Sequence, residues 1–423
     1  MKTLIKNVYA LLPDGTTPLT NIMIDRDKIA SIGEVPEDFR AAKVIDGKDK
    51  FAVPGFVNAH THASMTLFRS YADDMNLMDW LNNMIWPAEA KMQEEDIYWG
   101  AMLAAVEMIE GGTTTFADMY GPYMEKVAEA TADAGLRAVL SRGIIGVAPD
   151  GDAKIEENVA LYKDFHGAAD GRITVMFGPH APYTCPPDFL KKVAKTAQSL
   201  GAEVHIHMAE TKAEIEQITK AYGKRPFRYV EETGLFDGKG TLAAHCVHLD
   251  EEDIAIIKKH GIRVTTEVTP HHLTMTDECV NLYDSSTKTN PPLRSQSDVD
   301  AMVEGLKDGT IDAIVTDHSP HAQEEKDREY IYAPSGFPGL ETAIGVLFTD
   351  LCKTGKVDIP TIIERMTWGP AKAFKLDAGT LSVGANADVT VIDPDLVWTV
   401  DPKKFYTRGS HSPFVGRELT GKP

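Results

Sequence analysis

Apolar residues come along this chain in short β-branched runs, separated by stretches with helical spacing. The runs are "FAVPGFVNAHTH" (51–62), "GTTTFADMY" (112–120), "LRAVLSRGII" (136–145), "RITVMFGPHAPY" (172–183), "AEVHIHMAE" (202–210), "GTLAAHCVHL" (240–249), "IRVTTEVTPHH" (262–272) and "IDAIVTDHSPH" (311–321). In "DFLKKVAKTAQSL" (188–200) and "DEEDIAIIKKH" (250–260) the apolar positions recur at helical spacing, which predicts helices. The second opens on Asp250, a residue suited to N-capping. Eight runs alternating with helices predict an α/β fold, a (β/α)8 barrel over residues 51–376. The ends differ. "TLIKNVYALLPDG" and "NIMIDRDKIASIG" near the start, and "GTLSVGANADVTVIDPDLVWTV" (379–400) near the finish, read as short strands and turns. They predict a small β-domain built from both termini, residues 1–50 plus 377–423.

Composition narrows the partners. The chain has 423 residues, 43% hydrophobic and 25% charged, as a soluble globular protein does. Its apolar runs are too short to cross a bilayer. "MKTLIKNVYALLPDG" does not read as a secretory leader, because Lys6 and Asn7 break its apolar part. Cys185, Cys246, Cys279 and Cys352 are widely spaced and read as reduced thiols of a cytoplasmic protein. A formal net charge of −20 argues against nucleic acid or an anionic membrane as partner. It says little about a small-molecule substrate, since a local pocket can carry the opposite sign.

The histidines carry the chemistry. Of 14, only His166, His260 and His411 lie outside the apolar runs. The others gather near the ends of successive strands, and the C-terminal strand ends are where barrel active sites sit. In "PGFVNAHTH", His60 and His62 stand two apart on a strand and so share a face. "HIHMAE" offers His207 at the mouth, His205 a layer deeper in the core, and Glu210 three residues beyond His207. "AAHCVHL" presents His245, with His248 pointing elsewhere. "IVTDHSPH" ends an apolar strand in Asp317, a carboxylate that needs a partner. His60, His62, His207 and Asp317 form a nitrogen–oxygen ligand set without thiolate, suited to one divalent transition metal, zinc or ferrous iron. Such a site leaves a position for water, whose pKa the metal lowers. Asp317 can accept that water's proton, Glu210 can carry a proton to the substrate, and His245 can orient the attacking water.

At these residues the chain resembles the amidohydrolase superfamily of metal-dependent barrel hydrolases. Up to about residue 264 it is similar to the 5-methylthioadenosine/S-adenosylhomocysteine deaminase family, through "VPGFVNAHTHASMTLFRSYADDMNLMDWL", "WPAEAKM", "GTTTFADMY", "FGPHAPYTC", "HIHMAET" and "AAHCVHL". That resemblance implies a purine nucleoside held by Glu89, Arg142 and His180, with Glu210 contacting and protonating the ring. From about residue 265 it is similar to dihydroorotase, through "EVTPHHLTMTDE", "KTNPPLRSQSDVDAMVEGLKDGTIDAIVTDHSPHAQEEK", "SGFPGLETAIGVL" and "WTVDPKKFYTRGSHSPFVGRELTGK". There Asn290 and His321 match substrate contacts, while His271 and His272 take no assigned role. Both families end the eighth strand in a metal-binding aspartate, which Asp317 supplies. The arginine that follows the HxH pair closely in dihydroorotase is absent after His62. Deamination of an adenosine derivative is therefore the leading expectation. Cyclic-amide hydrolysis is the alternative, and a catalytically inactive barrel the third. Met65, Leu67, Phe68, Leu77, Met78, Trp80, Leu81 and Trp86 either line a pocket for thioether and purine or fill core or a homo-oligomer contact.

Overall fold

Burial alternates along Lys2–Ala10 (β1), with Val8 and Ala10 fully covered, as a strand with one solvated face requires. It is followed by Leu19–Asp25 (β2), Lys28–Ile32 (β3), Lys43–Asp46 (β4) and Phe51–Pro54 (β5). The computed structural model describes residues 1–69, 71 and 77–423, with the side chains of Leu77, Met78 and Asn281 outside the description. β1 pairs antiparallel with β2 and parallel with β4 and β5. Ile5, Val8, Ile22, Ile29, Ala52 and Leu381 pack as the core of this sheet.

Gly55 marks the passage into the barrel. A Cβ there would lie 1.9 Å from Thr114 Oγ1, so the backbone passes where no side chain fits. The barrel wall is a six-stranded parallel sheet of Phe56–Thr61 (β6), Thr113–Tyr120 (β7), Arg137–Ile144 (β8), Ile173–Pro179 (β9), Val204–Met208 (β10) and Thr241–His245 (β11), each beside its neighbours in sequence. β8 and β9 are buried along nearly their whole length, as strands covered on both faces of a parallel sheet are. Helices at Pro187–Leu200 and Glu251–His260 stand where the periodicity predicts them. Asp250 caps the latter by accepting from Asp253 N at 2.9 Å.

The last two strands differ from expectation. Glu267–Val268 (β12) and Ala313–Ile314 (β13) are short, and they pair with each other as a separate two-stranded sheet. The chain does touch β11, at the Leu242–Arg263 bridge, before turning away. Side chains divert it there. Thr266 N donates to Asp312 Oδ2 (2.9 Å), and Thr266 Oγ1 donates to Thr310 O (2.6 Å), bonds that compete with a regular ladder.

Val389–Thr399 (β14) and Glu418–Lys422 (β15) return to the terminal sheet, whose order is β15-β14-β5-β1-β2-β3 with β4 on β1. This sheet takes in Phe51–Pro54 as well, because β5 lies between β1 and β14. Phe414 and Leu419 of the tail pack against Met275, Leu293 and Phe337.

Candidate metal centre and active site

β6 does not run straight to its histidines. Its register with β7 shifts between Asn58 and Thr61, where three steps on β6 oppose two on β7. Bulges of this kind re-aim side chains beside active sites. The rings of His60, His62 and His207 converge there, with ligand nitrogens all within 4.8 Å of one another. His62 Nδ1 donates to Met119 O (2.6 Å), and His207 Nδ1 donates to His180 O (2.9 Å). Each such bond fixes the tautomer and leaves Nε2 for a metal. Both nitrogens of His60 are buried without a hydrogen-bond partner. Burial, then the neighbouring imidazoles, push His60 and His207 well below the usual histidine range, so both present neutral rings. Three convergent imidazoles, one of them with both nitrogens orphaned, fit a divalent transition metal.

Several supports of this group were not foreseen. Asp118 on β7 is fully buried. Its Oδ1 accepts from Thr61 Oγ1 (2.8 Å) and Ala63 N (2.6 Å), the residues on either side of His62. Burial raises its carboxyl. The signal was present, since a carboxylate inside the apolar run "TTTFADMY" needs a partner as much as Asp317 does. Glu214 caps the turn after β10, accepting from Ala209 N and Glu210 N, both at 2.9 Å. Thr211 in turn accepts from Glu214 N, so "TKAE" is a readable capping pattern.

His205 is fully buried, with Nδ1 3.4 Å from Ser141 Oγ, and lies outside the close group. Glu210 and His245 face each other at the mouth, Oε1 to Nε2 3.8 Å. Burial raises the Glu210 carboxyl and lowers His245 to about 4. Ala209, His245 and Asp317 all hold left-handed backbone (φ 50°, 69° and 48°). Such conformations cost about 1–3 kcal/mol each and cluster at functional sites.

Asp317, the fourth residue of the predicted set, does not join this close group. It is exposed and stands outside the three-histidine group, on the wall of the same cavity. Water reaches it, yet the protein around that cavity raises its carboxyl. The separation follows from β13 lying in its own sheet rather than against β6.

Two cavities meet at the histidines, and His62, Met65, Trp80 and His245 line both. One, of about 670 Å³, brings together Glu89, Arg142, His180, His207 and Glu210, with Leu81 and Trp86 among its apolar walls. The other, of about 1000 Å³, is lined by His60, Phe68, His272, Asn290, Asp317 and His321. Leu67 turns to solvent instead, 45% exposed. The side chains of Leu77 and Met78 lie outside the described residues. Arg142 is buried but committed in part to Glu157, Nε to Oε2 2.7 Å. His271 is buried away from the mouth against Phe337.

Burial pushes Glu89 up to about 7, against the opposing pull of Tyr120 and Arg142. Between about pH 4.5 and 7 the folded protein therefore holds a proton at Glu89 that the unfolded chain has released, and stability falls as pH rises through that window. Glu89→Gln, which never ionises, is expected to gain on the parent protein by up to roughly 3 kcal/mol between pH 5 and pH 8. Urea unfolding of both proteins at the two pH values checks this. A difference independent of pH would remove Glu89 as its source.

A parallel-stranded barrel with convergent imidazoles at its C-terminal strand ends defines a class built to hold a metal at its mouth. The chain belongs to the amidohydrolase family, whose model matches residues 51–421. Over 255 residues it is 56% identical to a protein of Pelotomaculum thermopropionicum named 5-methylthioadenosine/S-adenosylhomocysteine deaminase, covering 59% of this chain and 58% of that one. A relative of the same name in Syntrophomonas wolfei is 53% identical over 269 residues, 62% of each chain. The chain thus spans only about 58–62% of the length of these curated relatives. Among solved structures, an adenosine deaminase from Xanthomonas campestris with bound zinc aligns at TM-score 0.68 and 25% identity, over 99% of this chain and 94% of that one. A dihydropyrimidinase from Brevibacillus agri aligns at TM-score 0.65 and 21% identity, over 100% and 92%, which speaks to the fold alone.

Proposed function

We infer that the protein is a metal-dependent hydrolase that removes the amino group of an adenosine derivative, 5-methylthioadenosine or S-adenosylhomocysteine, releasing ammonia. The observation that carries this reading is the 670 Å³ cavity, where Glu89, Arg142, His180, Glu210 and His245 open onto two of the three clustered histidines. The names of the relatives at 56% and 53% identity support it. His60, His62 and His207 would hold the ion, with Asp317 completing the set from the facing wall. A divalent ion there, zinc or iron, supplies Lewis acidity and lowers the pKa of water beside it. Glu210, its carboxyl raised by burial, keeps a proton closer to neutral pH and delivers it to the purine ring. His245, held neutral, accepts a hydrogen bond from the attacking water or steadies developing charge. Asp317 takes the water's proton. Glu89 and Arg142 bind the sugar, His180 contacts the nucleoside, and Trp80, Leu81 and Trp86 cover apolar parts of the substrate.

A second reading has its own observation. The 1000 Å³ cavity on the other side collects Asn290, Asp317 and His321, as a dihydroorotase-type cyclic amidase would need. The arginine that closely follows the HxH pair in dihydroorotase is absent after His62, and the two arginines on this cavity's wall are engaged elsewhere, Arg69 with Glu107 and Arg294 with Asp298. Leaving that charge unpaired in a partly buried site costs several kcal/mol, about a hundredfold or more in binding. Ammonia release from adenosine, methylthioadenosine and S-adenosylhomocysteine, run beside a dihydroorotate ring-opening assay, tests both. Deamination of at least one nucleoside with the higher kcat/KM is expected. Ring opening without ammonia release from any of them would transfer the assignment to the second reading.

A further inference from the structure

We propose that Glu107, acting through His318, is the positioning residue that sets where Asp317 stands relative to the three-histidine centre. Glu107 lies on the Glu94–Glu110 helix and is 1% exposed. Its two carboxylate oxygens serve two different parts of the chain. Oε1 accepts from Arg69, just past the first barrel strand, and Oε2 accepts from His318 Nε2 at 2.8 Å. The far side of the His318 ring is also engaged. Its Nδ1 accepts from Gly339 N (3.1 Å) and Leu340 N (3.2 Å). Two N–H groups pointing at Nδ1 require a lone pair there, so the proton sits on Nε2 and points at Glu107. The ring is a clasp with a fixed tautomer.

The clasp is placed where the barrel most needs one. β12 and β13 form their own sheet, so no ladder to β6 fixes the end of the eighth strand. Asp317 is the residue immediately before the clasp and holds left-handed backbone. On the other side the turn at Gly339 presses so close that a Cβ there would lie 2.6 Å from Thr316 O. Asp317 is thus bracketed by a turn packed on Thr316 and by an imidazole tied to a buried carboxylate on a helix 211 residues away in sequence. The helix, in turn, is joined through Arg69 to the segment that follows His60 and His62. One carboxylate thereby links the segment that follows two of the histidines to the strand end bearing the aspartate.

The inference rests on Asp317 being drawn to the metal, as proposed above, and the test separates the two ideas. Zinc affinity is measured by competition with a chromogenic chelator for the full-length protein and for His318→Ala, Asp317→Ala and the double variant. The visible spectrum of the cobalt-loaded proteins and thermal unfolding are recorded alongside. His318→Ala is expected to weaken zinc binding by about 10–100-fold, as loss of a residue supporting a ligand does. It should shift the cobalt bands as Asp317→Ala does, and add nothing once Asp317 is gone. His318→Gln, which can still donate to Glu107, is expected to recover most of the affinity. Glu107→Gln, which can accept from only one of its two donors, should weaken zinc as well and keeps the test decisive if His318→Ala does not fold. A loss in His318→Ala that persists undiminished in the Asp317→Ala background would overturn the proposal, as would unchanged affinity in both His318→Ala and Glu107→Gln. If Asp317→Ala weakens zinc while the clasp variants do not, the ligand reading stands and the positioning role falls. If Asp317→Ala itself binds zinc normally, both fall.

Discussion

Replacing Glu210 with glutamine is expected to leave the metal content of the purified protein unchanged and to lower turnover by about 10²–10⁴-fold, the ordinary contribution of a general acid–base group. The side chain stands at the mouth, 3.8 Å from His245 Nε2, and belongs to no cluster of ligand atoms with His60, His62 and His207. Its backbone is held from below by Glu214, whose carboxylate accepts from Glu210 N, so the substitution should not displace the turn. Burial lifts the Glu210 carboxyl, which favours the protonated form needed to protonate a ring nitrogen. Glutamine keeps the size and hydrogen bonding but has no such proton to give. Elemental analysis together with kcat for ammonia release reads both halves of the expectation. Near-normal turnover would remove the acid role from Glu210, and loss of metal would make it a ligand support instead.

Removing an imidazole from the close group is expected to cost more. His60→Ala and His207→Ala should come through purification depleted of metal, with zinc affinity reduced beyond the 10–100-fold typical of a supporting residue. Thermal unfolding gives an independent measure. Zinc at 100–1,000 times its dissociation constant should stabilise the parent protein by about 3–4 kcal/mol and leave these variants nearly unmoved. The physical basis is the orphaned state of His60, whose two ring nitrogens are buried with no hydrogen-bond partner. A bound ion relieves that cost, and alanine removes it altogether, so the variants should unfold no earlier than the metal-free parent. His205→Ala makes the control, since His205 lies deeper, against Ser141, outside the group. Full metal content in His60→Ala would refute the centre as described.

Much of this was legible in the sequence. Parallel strands are buried on both faces, so the apolar run "ITVMFGP" and the apolar centre "AVL" of "RAVLSRGI" announced barrel strands without any partner in view. Local chemistry also marked helix starts, as at Asp250, and the alternation of Lys2–Ala10 marked a half-solvated terminal sheet. The histidines stood out because a strand buries side chains by position. An imidazole repeated at strand ends of "NAHTH" and "HIHM" has no packing reason to be there.

Other features exist only once distant segments meet. The bulge that re-aims His60 depends on the register between β6 and β7, which no periodicity encodes. Glu107 sits on a helix whose sequence reads as ordinary. Its partner His318 is 211 residues further on, so nothing local marks the pair. The shortness of β12 and β13 and the exposure of Asp317 were likewise decided in three dimensions. A strand's apolar pattern states that it will be buried, but the bonds of Thr266 and Asp312 determine against which neighbour it lies. The sequence by itself thus determined that His60, His62 and His207 gather at one end of the barrel. Only the tertiary structure decided how far Asp317 stands from the three imidazoles. That distance is set by long-range pairing and packing rather than by any single segment's propensity.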